Sequence, residues 1–493
     1  MKGRVLNTSV MASLSAVAIV ICVMLASVPK SSAIPAFSRK YQTSCTTCHN
    51  DYPELNDFGE AFKKNGFKFP KDDDTFVKEP PVLLGAKAQK ESFPNAVYPG
   101  EIPGSVPVAF RYSGNFTYNS KQPIELGFLP RTDLFVPNTF TIIGAGSLGP
   151  SISFWVDNDI SAGGFNSAAG LGDGYLKFND LGHYVGLPKD TLNFRIGQFE
   201  LDLPFTQART IDLTPYDVFS QASIAPINGA ACAVATTPAT TPCTTNNPFV
   251  FGIPQRGFEF GGYPNDGNFT WSVALTDGSN NNPAMRNSKD VYVRVSQRFN
   301  LERDPEVRKD VLAAGPTGPR DHTSIRFGAF YYYGRNALNM DNSLFPNLGT
   351  VHEPFYRVGG DVRFKYRHFE IYGLGMYGHD QNFVPNTDGT AFQGTNPVTF
   401  TGGFAQAEYW FYPWLIGIMR YDFVNSPTDF SKLTISRYDT RNRFSPGVQI
   451  LIRANIKVAF EYQHRWEQPL TTFSGTPAFF RANGAVAGID YVF

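Results

Sequence analysis

In the stretch Val291-Tyr292-Val293-Arg294-Val295-Ser296-Gln297-Arg298-Phe299, apolar side chains alternate with polar and charged ones. Successive side chains of a β-strand point to opposite faces of the sheet, so the alternation indicates a strand with one apolar and one polar face. A soluble sandwich buries its apolar face. An outer-membrane barrel instead turns that face to the lipid and its charged side chains into the lumen.

Two later segments repeat the pattern. The first sets Arg363, Lys365 and Arg367 against Val362, Phe364 and Tyr366, and the second sets Lys457, Glu461 and Arg465 against Val458, Phe460 and Tyr462. From residue 105 to the end we count about sixteen such candidate strands, and single-chain bacterial barrels have an even number. They are predicted to start near residues 105, 137, 151, 174, 191, 255, 268, 289, 322, 355, 368, 400, 415, 442, 456 and 480.

The connections between these strands alternate in length, as periplasmic turns and external loops do. The short ones are Gly149-Pro150, Pro264 to Gly267, Arg367, Tyr412 to Trp414 and Ala454-Asn455, and the long ones are residues 119–136, 202–254, 335–354, 381–399 and 425–441. Residues 300–321 break the alternation, because they are long and charged where a short turn is expected. A periplasmic protrusion and a miscounted strand are the two interpretations.

The chain ends on Gly488-Ile489-Asp490-Tyr491-Val492-Phe493. Its aromatic residues at the last and third-last positions resemble the C-terminal signal of outer-membrane barrels. Together with the strand count and the connection lengths, this ending predicts an all-β fold, an antiparallel outer-membrane β-barrel of about sixteen strands over residues 105–493. A soluble sandwich is the alternative.

A second motif, Cys45-Thr46-Thr47-Cys48-His49, has the C-x-x-C-H spacing at which two thiols bond to a haem and the histidine ligates its iron. The motif follows an export signal, and c-type haem is attached to exported chains. We therefore predict one covalent haem c on Cys45 and Cys48, with His49 as an axial ligand of the iron. The alternatives are a thioredoxin-like pair, which requires an adjacent βαβ pattern, and a zinc site, which requires a second C-x-x-C. The sequence shows neither feature.

The first residues have the three parts of a secretory signal. Lys2 and Arg4 are basic, Met11 to Val28 is apolar, and Ser31-Ser32-Ala33 is a small-residue cleavage site, so residues 1–33 are predicted to be removed. An uncleaved anchor is the alternative, because the apolar run approaches the ~20 residues that span a bilayer.

Loss of the signal removes three basic residues, which leaves 43 acidic against 40 basic ones. A nearly neutral chain lacks the basic surface that nucleic acid requires, so we expect no nucleic-acid partner. Outside the motif and the signal, two cysteines remain, Cys232 and Cys243, in a Thr/Ala/Pro-rich stretch. An oxidising compartment favours a disulfide between them, and two free thiols are the alternative.

Residues 34–104 are predicted to form a small, partly helical monohaem cytochrome segment followed by a linker. Asn50-Asp51 supplies a helix start and Asn65-Gly66 a helix end. The apolar face between them carries Leu55, Phe58 and Phe62. This face would cover the haem or pack on other apolar residues of the segment.

The sixth ligand of the iron is not evident, because residues 34–104 contain one histidine, His49, and no methionine. The iron is five-coordinate or water-ligated, takes an unusual ligand, or receives one from the barrel. The barrel candidates are Met376, His379, Met419, His464 and His352. The alternation places His464 and Met419 on the lipid side, and it places Met376 and His379 on opposite faces of one strand.

The apolar belt of a membrane barrel is about 25 Å tall, so a haem below it would be far from any extracellular partner. If the protein conducts electrons, we expect the cytochrome segment to plug the lumen, which sixteen strands make wide enough. Charged residues such as Arg294, Arg363 and Glu461 would then hold the plug. A plain water-lined pore is the alternative role for these three residues.

The N-terminal motifs resemble one known family. Ile34-Pro35-Ala36-Phe37-Ser38-Arg39-Lys40, the C-x-x-C-H motif and Pro53-x-Leu55-x-x-Phe58-Gly59-x-x-Phe62-Lys63-x-x-Gly66, followed by a porin-like barrel, are similar to the fused outer-membrane monohaem cytochrome–porins of iron-oxidising bacteria. The detailed match covers about 35 residues, and the barrel agrees in architecture alone. The resemblance implies that Cys45, Cys48 and His49 bind haem and that electrons pass from extracellular ferrous iron to periplasmic cytochromes.

The leading hypothesis is therefore an outer-membrane electron-transfer protein with an iron:cytochrome oxidoreductase activity. Its partners would be outer-membrane lipid, an extracellular donor with ferrous iron as one candidate, and a periplasmic cytochrome. The alternatives are a solute porin with a structural or redox-sensing haem, and outward transfer to an extracellular acceptor. The cytochrome segment is expected in the periplasm or in the lumen.

Overall fold

Sixteen strands form one closed barrel in which each strand pairs antiparallel with its neighbours in sequence, and the last strand pairs with the first. The structure is a computed structural model that describes residues 35–69, 73–83, 91–95, 101–104, 106–120, 131–162, 170–206, 211–220, 249–265, 267–278, 287–301, 323–339, 350–385, 392–425, 441–466, 470–471, 477–479 and 483–493. The strands are β1 (Val108–Asn119), β2 (Thr132–Ser147), β3 (Ile152–Ala162), β4 (Gly170–Phe178), β5 (Asn193–Phe199), β6 (Gln255–Gly262), β7 (Phe269–Thr276), β8 (Asp290–Asn300), β9 (Ser324–Asn339), β10 (Thr350–Tyr366), β11 (Phe369–Pro385), β12 (Phe392–Tyr412), β13 (Leu415–Asn425), β14 (Arg441–Arg453), β15 (Ile456–Arg465) and β16 (Gly484–Val492).

The predicted barrel is confirmed in strand number, pairing and approximate bounds. The largest difference is at β12, which starts at Phe392 where residue 400 was predicted. The strands on either side of residues 300–321, β8 and β9, pair directly with each other within the closed ring, so the predicted count of sixteen stands. That connection joins β8 to β9, and its residues 302–322 lie outside the described ranges.

The alternation of the strands places apolar side chains outside. Along β8, Val293 and Val295 are 36% and 44% exposed, whereas Tyr292 and Arg294 are 0% and 4% exposed. The same division separates the exposed Phe460 of β15 from the residues that face inward. An apolar outer surface around a closed strand ring is the arrangement of a barrel that stands in lipid.

One predicted lumen residue is placed differently. Arg367 lies in the two-residue turn 367–368 between β10 and β11, has φ 50° and is exposed. Its predecessors Arg363 and Lys365 do face inward. Arg367 was predicted both on the charged strand face and as a short connection. The short connection is confirmed, whereas the strand-face prediction was wrong because the strand ends at Tyr366 and the period of two ends with it.

The two ends of the barrel differ. Three two-residue turns, 367–368, 413–414 and 454–455, lie at one end, where Val108 begins the first strand and Val492 ends the last. Short turns are typical of the periplasmic end of an outer-membrane barrel. We therefore call this the inner end.

Before the barrel, the chain forms short elements. These are helix α1 (Ala36–Tyr41), a 3₁₀ turn (Cys45–Thr47), a strand pair (His49–Asp51 with Glu54–Leu55), helices α2 (Asp57–Lys64) and α3 (Asp73–Phe76), and a second strand pair (Val82–Leu83 with Glu101–Ile102). Helix α4 (Asp217–Ser220) follows in the connection between β5 and β6. None of the helices in the described ranges is both long and apolar enough to cross a bilayer.

Helix α2 starts later than predicted. Asn50 does not begin it, because its amide donates to Glu54 Oε1 at 3.2 Å within the first strand pair. Asn56 is the N-cap, and its Oδ1 accepts the backbone N–H of Gly59 at 2.8 Å. The predicted end is confirmed, since Asn65 is the C-cap and Gly66 has φ 68°.

Two predictions from the sequence concern segments that the structure does not describe. The signal peptide over residues 1–33 and the pair Cys232 and Cys243 lie outside the described residues. Both remain predictions.

Candidate functional site

Residues 35–69, which we call the plug, contact inward-facing side chains of the barrel. Asp57 Oδ1 lies 3.0 Å from Arg298 Nη1 of β8 and 3.4 Å from Lys365 Nζ of β10. Glu60 Oε2 lies 3.3 Å from Arg326 Nη2 of β9. These acidic residues stand on the first turn of α2, and their partners all lie within three residues of the inner end of their strands.

The plug is also held on the opposite side of the ring. Lys457 of β15 donates to the carbonyl of Tyr52, and the Arg111 guanidinium of β1 lies 5.4 Å from the centre of the Tyr52 ring. On β3, the Trp155 ring lies 5.8 Å from that of Phe67. Strands on several sides of the ring therefore contact the plug near the inner end.

Arg363 binds the plug most closely. Its Nη2 lies 2.7 Å from Glu54 Oε1, and its Nε also donates to Glu370 of the neighbouring strand. One carboxylate oxygen each of Glu54, Glu370 and Glu408 lie within 4.8 Å of one another, and all three residues are buried. The guanidinium therefore offsets part of a concentrated negative charge that would otherwise be costly to bury.

Arg363→Leu is expected to weaken the docking of the plug, because it leaves Glu54 and Glu370 buried without their guanidinium. Removing one partner of a buried ion pair costs about 3–5 kcal/mol. The measurement is the denaturant concentration at which trypsin first cuts the plug. Arg363→Leu combined with Glu370→Leu should recover part of the loss. Arg367→Leu in the exposed turn is the control, and an equal effect there would contradict the prediction.

The C-x-x-C-H motif forms a compact turn. The 3₁₀ turn places the backbone N–H of Cys48 3.1 Å from the carbonyl of Cys45, so both cysteines stand on one turn of chain. Both thiols are half-buried, and neither forms a disulfide. Burial raises the pKa of the Cys48 thiol to about 12, which keeps it protonated in the absence of a bound group.

His49 has one ring nitrogen engaged by the backbone. Its Nδ1 lies 3.2 Å from the carbonyl of Pro53 and 3.3 Å from that of Glu54. A carbonyl only accepts, so this geometry assigns the proton to Nδ1 and leaves the lone pair on Nε2. Burial lowers the pKa of His49 to about 4, so the ring is neutral near pH 7. Metal-ligating histidines have this arrangement.

A cavity of about 960 Å³ adjoins the motif, and Cys45, Cys48 and His49 all line it. This volume is at the upper end of the ~300–1,000 Å³ typical of cofactor pockets. The aromatic residues of the plug form one cluster with a barrel residue and lie beside the motif: Phe37, Tyr41, Phe62, Phe67, Phe69 and Trp155. Paired thiols, a neutral imidazole with a directed lone pair and an aromatic wall fit a covalently attached haem.

The long connection between β5 and β6 folds inward. Its described parts, residues 200–206, 211–220 and 249–254, are called the inner loop here, and they lie inside the ring rather than above it. Asp212 Oδ1 lies 3.4 Å from Arg420 Nη1 of β13. Asp217 binds Arg443 of β14 at 3.4 Å and Arg465 of β15 at 3.1 Å.

Aromatic stacking fixes the inner loop to the other strands. Tyr216 stacks on Phe404 with ring centres 3.7 Å apart, and Phe205 stacks on Tyr372 at 4.4 Å. Phe205 and Tyr216 also line the cavity beside the C-x-x-C-H motif. The plug and the inner loop therefore share one cavity.

Arg294, Arg363 and Glu461 were predicted to hold the plug. Arg363 contacts the plug, whereas Arg294 and Glu461 contact the inner loop. Arg294 pairs with Asp361 at 2.6 Å and approaches Asp202 of the inner loop at 3.9 Å. Glu461 accepts from Thr214 of the inner loop.

The five candidates for a sixth iron ligand lie away from the motif. Met419 is 63% exposed on the outer surface, and His464 packs beside Trp466 with ring centres 5.1 Å apart. His379 stacks on Tyr356, and His352 is exposed. Met376 is buried inside the barrel, but it does not line the cavity. Among the described residues that line the cavity, His49 is the one histidine, and no methionine is present.

No protein-family model and no curated protein match this chain. Among solved structures, it is similar to the outer membrane channel DcaP of Acinetobacter baumannii, with 13% identity and a TM-score of 0.47 over 78% of this chain and 96% of that chain. It is also similar to an anion-selective porin from Comamonas acidovorans, with 12% identity and a TM-score of 0.46 over 79% and 99%. A third similar structure is OmpF of Salmonella typhi, with 12% identity and a TM-score of 0.42 over 78% of this chain and 97% of that chain. The barrel architecture is defined by the strand pairing itself.

Proposed function

We propose that this chain is an outer-membrane electron-transfer protein of the fused cytochrome–porin type. A haem c held by Cys45, Cys48 and His49 would exchange electrons between an extracellular donor, with ferrous iron as the candidate, and a periplasmic cytochrome. The observation that carries the proposal is the position of the C-x-x-C-H turn, which lines a cavity inside a closed barrel. The haem, when bound, supplies one-electron chemistry.

The residues around the motif have binding and positioning roles in this proposal. The two thiols provide the attachment points, and His49 presents Nε2 because its Nδ1 is engaged by the backbone carbonyls. The ion pairs of Asp57 and Glu60 hold the plug against the barrel wall. Electron transfer requires no acid or base, so this protein needs to supply position and a low-dielectric environment rather than a proton relay.

A solute porin is the competing function, and the contents of the lumen argue against it. A sixteen-stranded porin works through a water-filled channel. Here the plug and the inner loop both project into the ring and are tied to its wall by buried ion pairs and stacked rings. Such contents suit a protein that transfers electrons while it blocks solutes.

Sealed vesicles test the proposal. The purified protein is inserted into vesicles that enclose cytochrome c as acceptor, and Fe²⁺ is added outside. We expect reduction of the enclosed cytochrome with the intact protein and none with Cys48→Ala. A wild-type haem that no external donor reduces, in a protein that passes ions as well as Cys48→Ala does, would favour the porin function.

The direction of electron flow is tested by a redox titration of the same haem. A midpoint potential between those of the donor couple and the periplasmic carrier supports inward flow from the donor. A potential well below the donor couple would instead support outward transfer to an extracellular acceptor. Axial ligation and burial set this potential, and in this proposal His49 is the one histidine ligand.

A further inference from the structure

Asn56 joins the haem-binding turn to helix α2. It is fully buried, and its side-chain amide donates to the carbonyls of Thr46 at 3.4 Å and Thr47 at 3.1 Å. Its side-chain carbonyl caps α2 by accepting the Gly59 N–H at 2.8 Å. Its backbone N–H donates to the carbonyl of Cys48 at 3.0 Å. One residue therefore connects the centre of the C-x-x-C-H turn to the start of the helix.

Gly59 allows this close approach. A Cβ at this position would lie 2.0 Å from the carbonyl oxygen of Cys48 and 2.9 Å from its carbonyl carbon. No heavy-atom contact of that length is tolerated, so any larger residue would push α2 away from the turn. The helix and the turn consequently pack backbone against backbone, with Asn56 as the hydrogen-bonded link.

The same link reaches the histidine. The carbonyls that engage His49 Nδ1 belong to Pro53 and Glu54, three and two residues before Asn56. If the Asn56 bonds hold the turn and α2 together, they also hold the short chain segment that orients the imidazole. Partners of this kind fix ring orientation and raise the basicity of a ligating histidine.

We propose that Asn56 is a positioning residue for the haem, which fixes the two thiols and the imidazole of His49 relative to one another. This inference rests on the haem-binding part of the proposed function and adds a residue to it. It gives Asn56 two separable roles. Its side-chain carbonyl caps helix α2, and its side-chain amide donates to the backbone of the C-x-x-C-H turn.

Asn56→Asp separates the two roles. Asparagine and aspartate are comparable N-caps, so α2 keeps its cap. The amide donor, however, is replaced by a carboxylate oxygen that faces two carbonyls. We expect the chain segment that orients His49 to shift, and the midpoint potential and the absorption spectrum to change by more than in a control that adds the same charge elsewhere.

Asn65→Asp is the matched control. Asn65 caps the other end of α2, is also an asparagine, and also donates to two carbonyls, those of Lys68 and Phe69 at 3.3 Å and 3.0 Å. It does not contact the haem-binding turn. We expect Asn65→Asp to keep the wild-type potential and the wild-type absorption spectrum, even if it lowers the stability of the plug.

Gly59→Ala tests the same geometry by steric displacement without adding a charge, and it should likewise alter the spectrum and the potential. Barrel formation is checked for each variant by heat-modifiable gel migration. Wild-type potential and spectrum in both Asn56→Asp and Gly59→Ala would overturn the inference, as would an equal shift in Asn65→Asp. Absence of covalent haem from the wild-type protein would instead refute the proposed function.

Discussion

A chain that lacks the plug, residues 35–69, is expected to conduct ions across a planar bilayer several-fold better than the intact protein. The deletion removes the acidic residues that bridge to β8, β9 and β10, and it leaves all sixteen strands in place. A sixteen-stranded ring is wide enough for an aqueous channel, which the inner loop would narrow but the plug would no longer fill. Single-channel recording measures the effect, and gel migration confirms that the barrel still forms.

Point variants separate plug contacts from a general effect of altered charge. Asp57→Ala with Glu60→Ala should give an intermediate conductance, because the plug loses the ion pairs to Arg298, Arg326 and Lys365 but keeps the pair between Glu54 and Arg363. Asp74→Ala, an exposed acidic residue of the same N-terminal region, should leave conductance unchanged. Equal conductance of the intact and the deleted protein would mean that the plug does not obstruct the lumen.

Cys45→Ala combined with Cys48→Ala is expected to abolish covalent haem completely. The two thiols are the attachment points in the C-x-x-C-H turn, and a haem held by His49 alone would leave the chain under denaturing conditions. Peroxidase staining of a denaturing gel measures attachment. The barrel should still form, because the sixteen strands contain neither cysteine.

The matched control replaces the other cysteine pair. Cys232→Ala with Cys243→Ala removes the same number of cysteines, and we expect it to keep full haem staining. If this control also lost its haem, attachment would depend on something other than the C-x-x-C-H motif. A stained band in the Cys45 and Cys48 double variant would contradict covalent attachment at these positions.

Much of the barrel follows from local sequence because strand alternation is a local property. The period of two in Val291–Phe299 identifies both the strand and its inward face, and the exposures of Val293 and Arg294 agree with it. The pattern fails where the strand stops. In the sequence, Arg367 continues the alternation, but in the structure it lies in a two-residue turn and does not face the lumen.

The contents of the lumen follow much less from the sequence. Glu54 finds its partner Arg363 more than three hundred residues away, and nothing near either residue indicates the pairing. The inward course of the loop after β5 depends in the same way on Asp212 meeting Arg420. Asn50 and Asn56 are both suitable N-cap residues for α2. Asn56 is the N-cap because the side chain of Asn50 instead bonds to Glu54 within the first strand pair. The spacing predicts the three motif residues, whereas the contacts that hold them, such as those of His49 with the carbonyls of Pro53 and Glu54, depend on a local chain path that the spacing does not indicate.

The seam between β1 and β16 has a consequence for biogenesis. The ring is complete when the last strand meets the first, and the segment that carries Cys45 and Cys48 is enclosed by that ring. An enzyme that attaches a porphyrin covalently to two thiols needs access to both thiols. If the proposed haem c is attached, we therefore expect maturation to follow a fixed order, in which the haem is installed on the exported, still unfolded chain before the outer-membrane machinery closes the barrel around it.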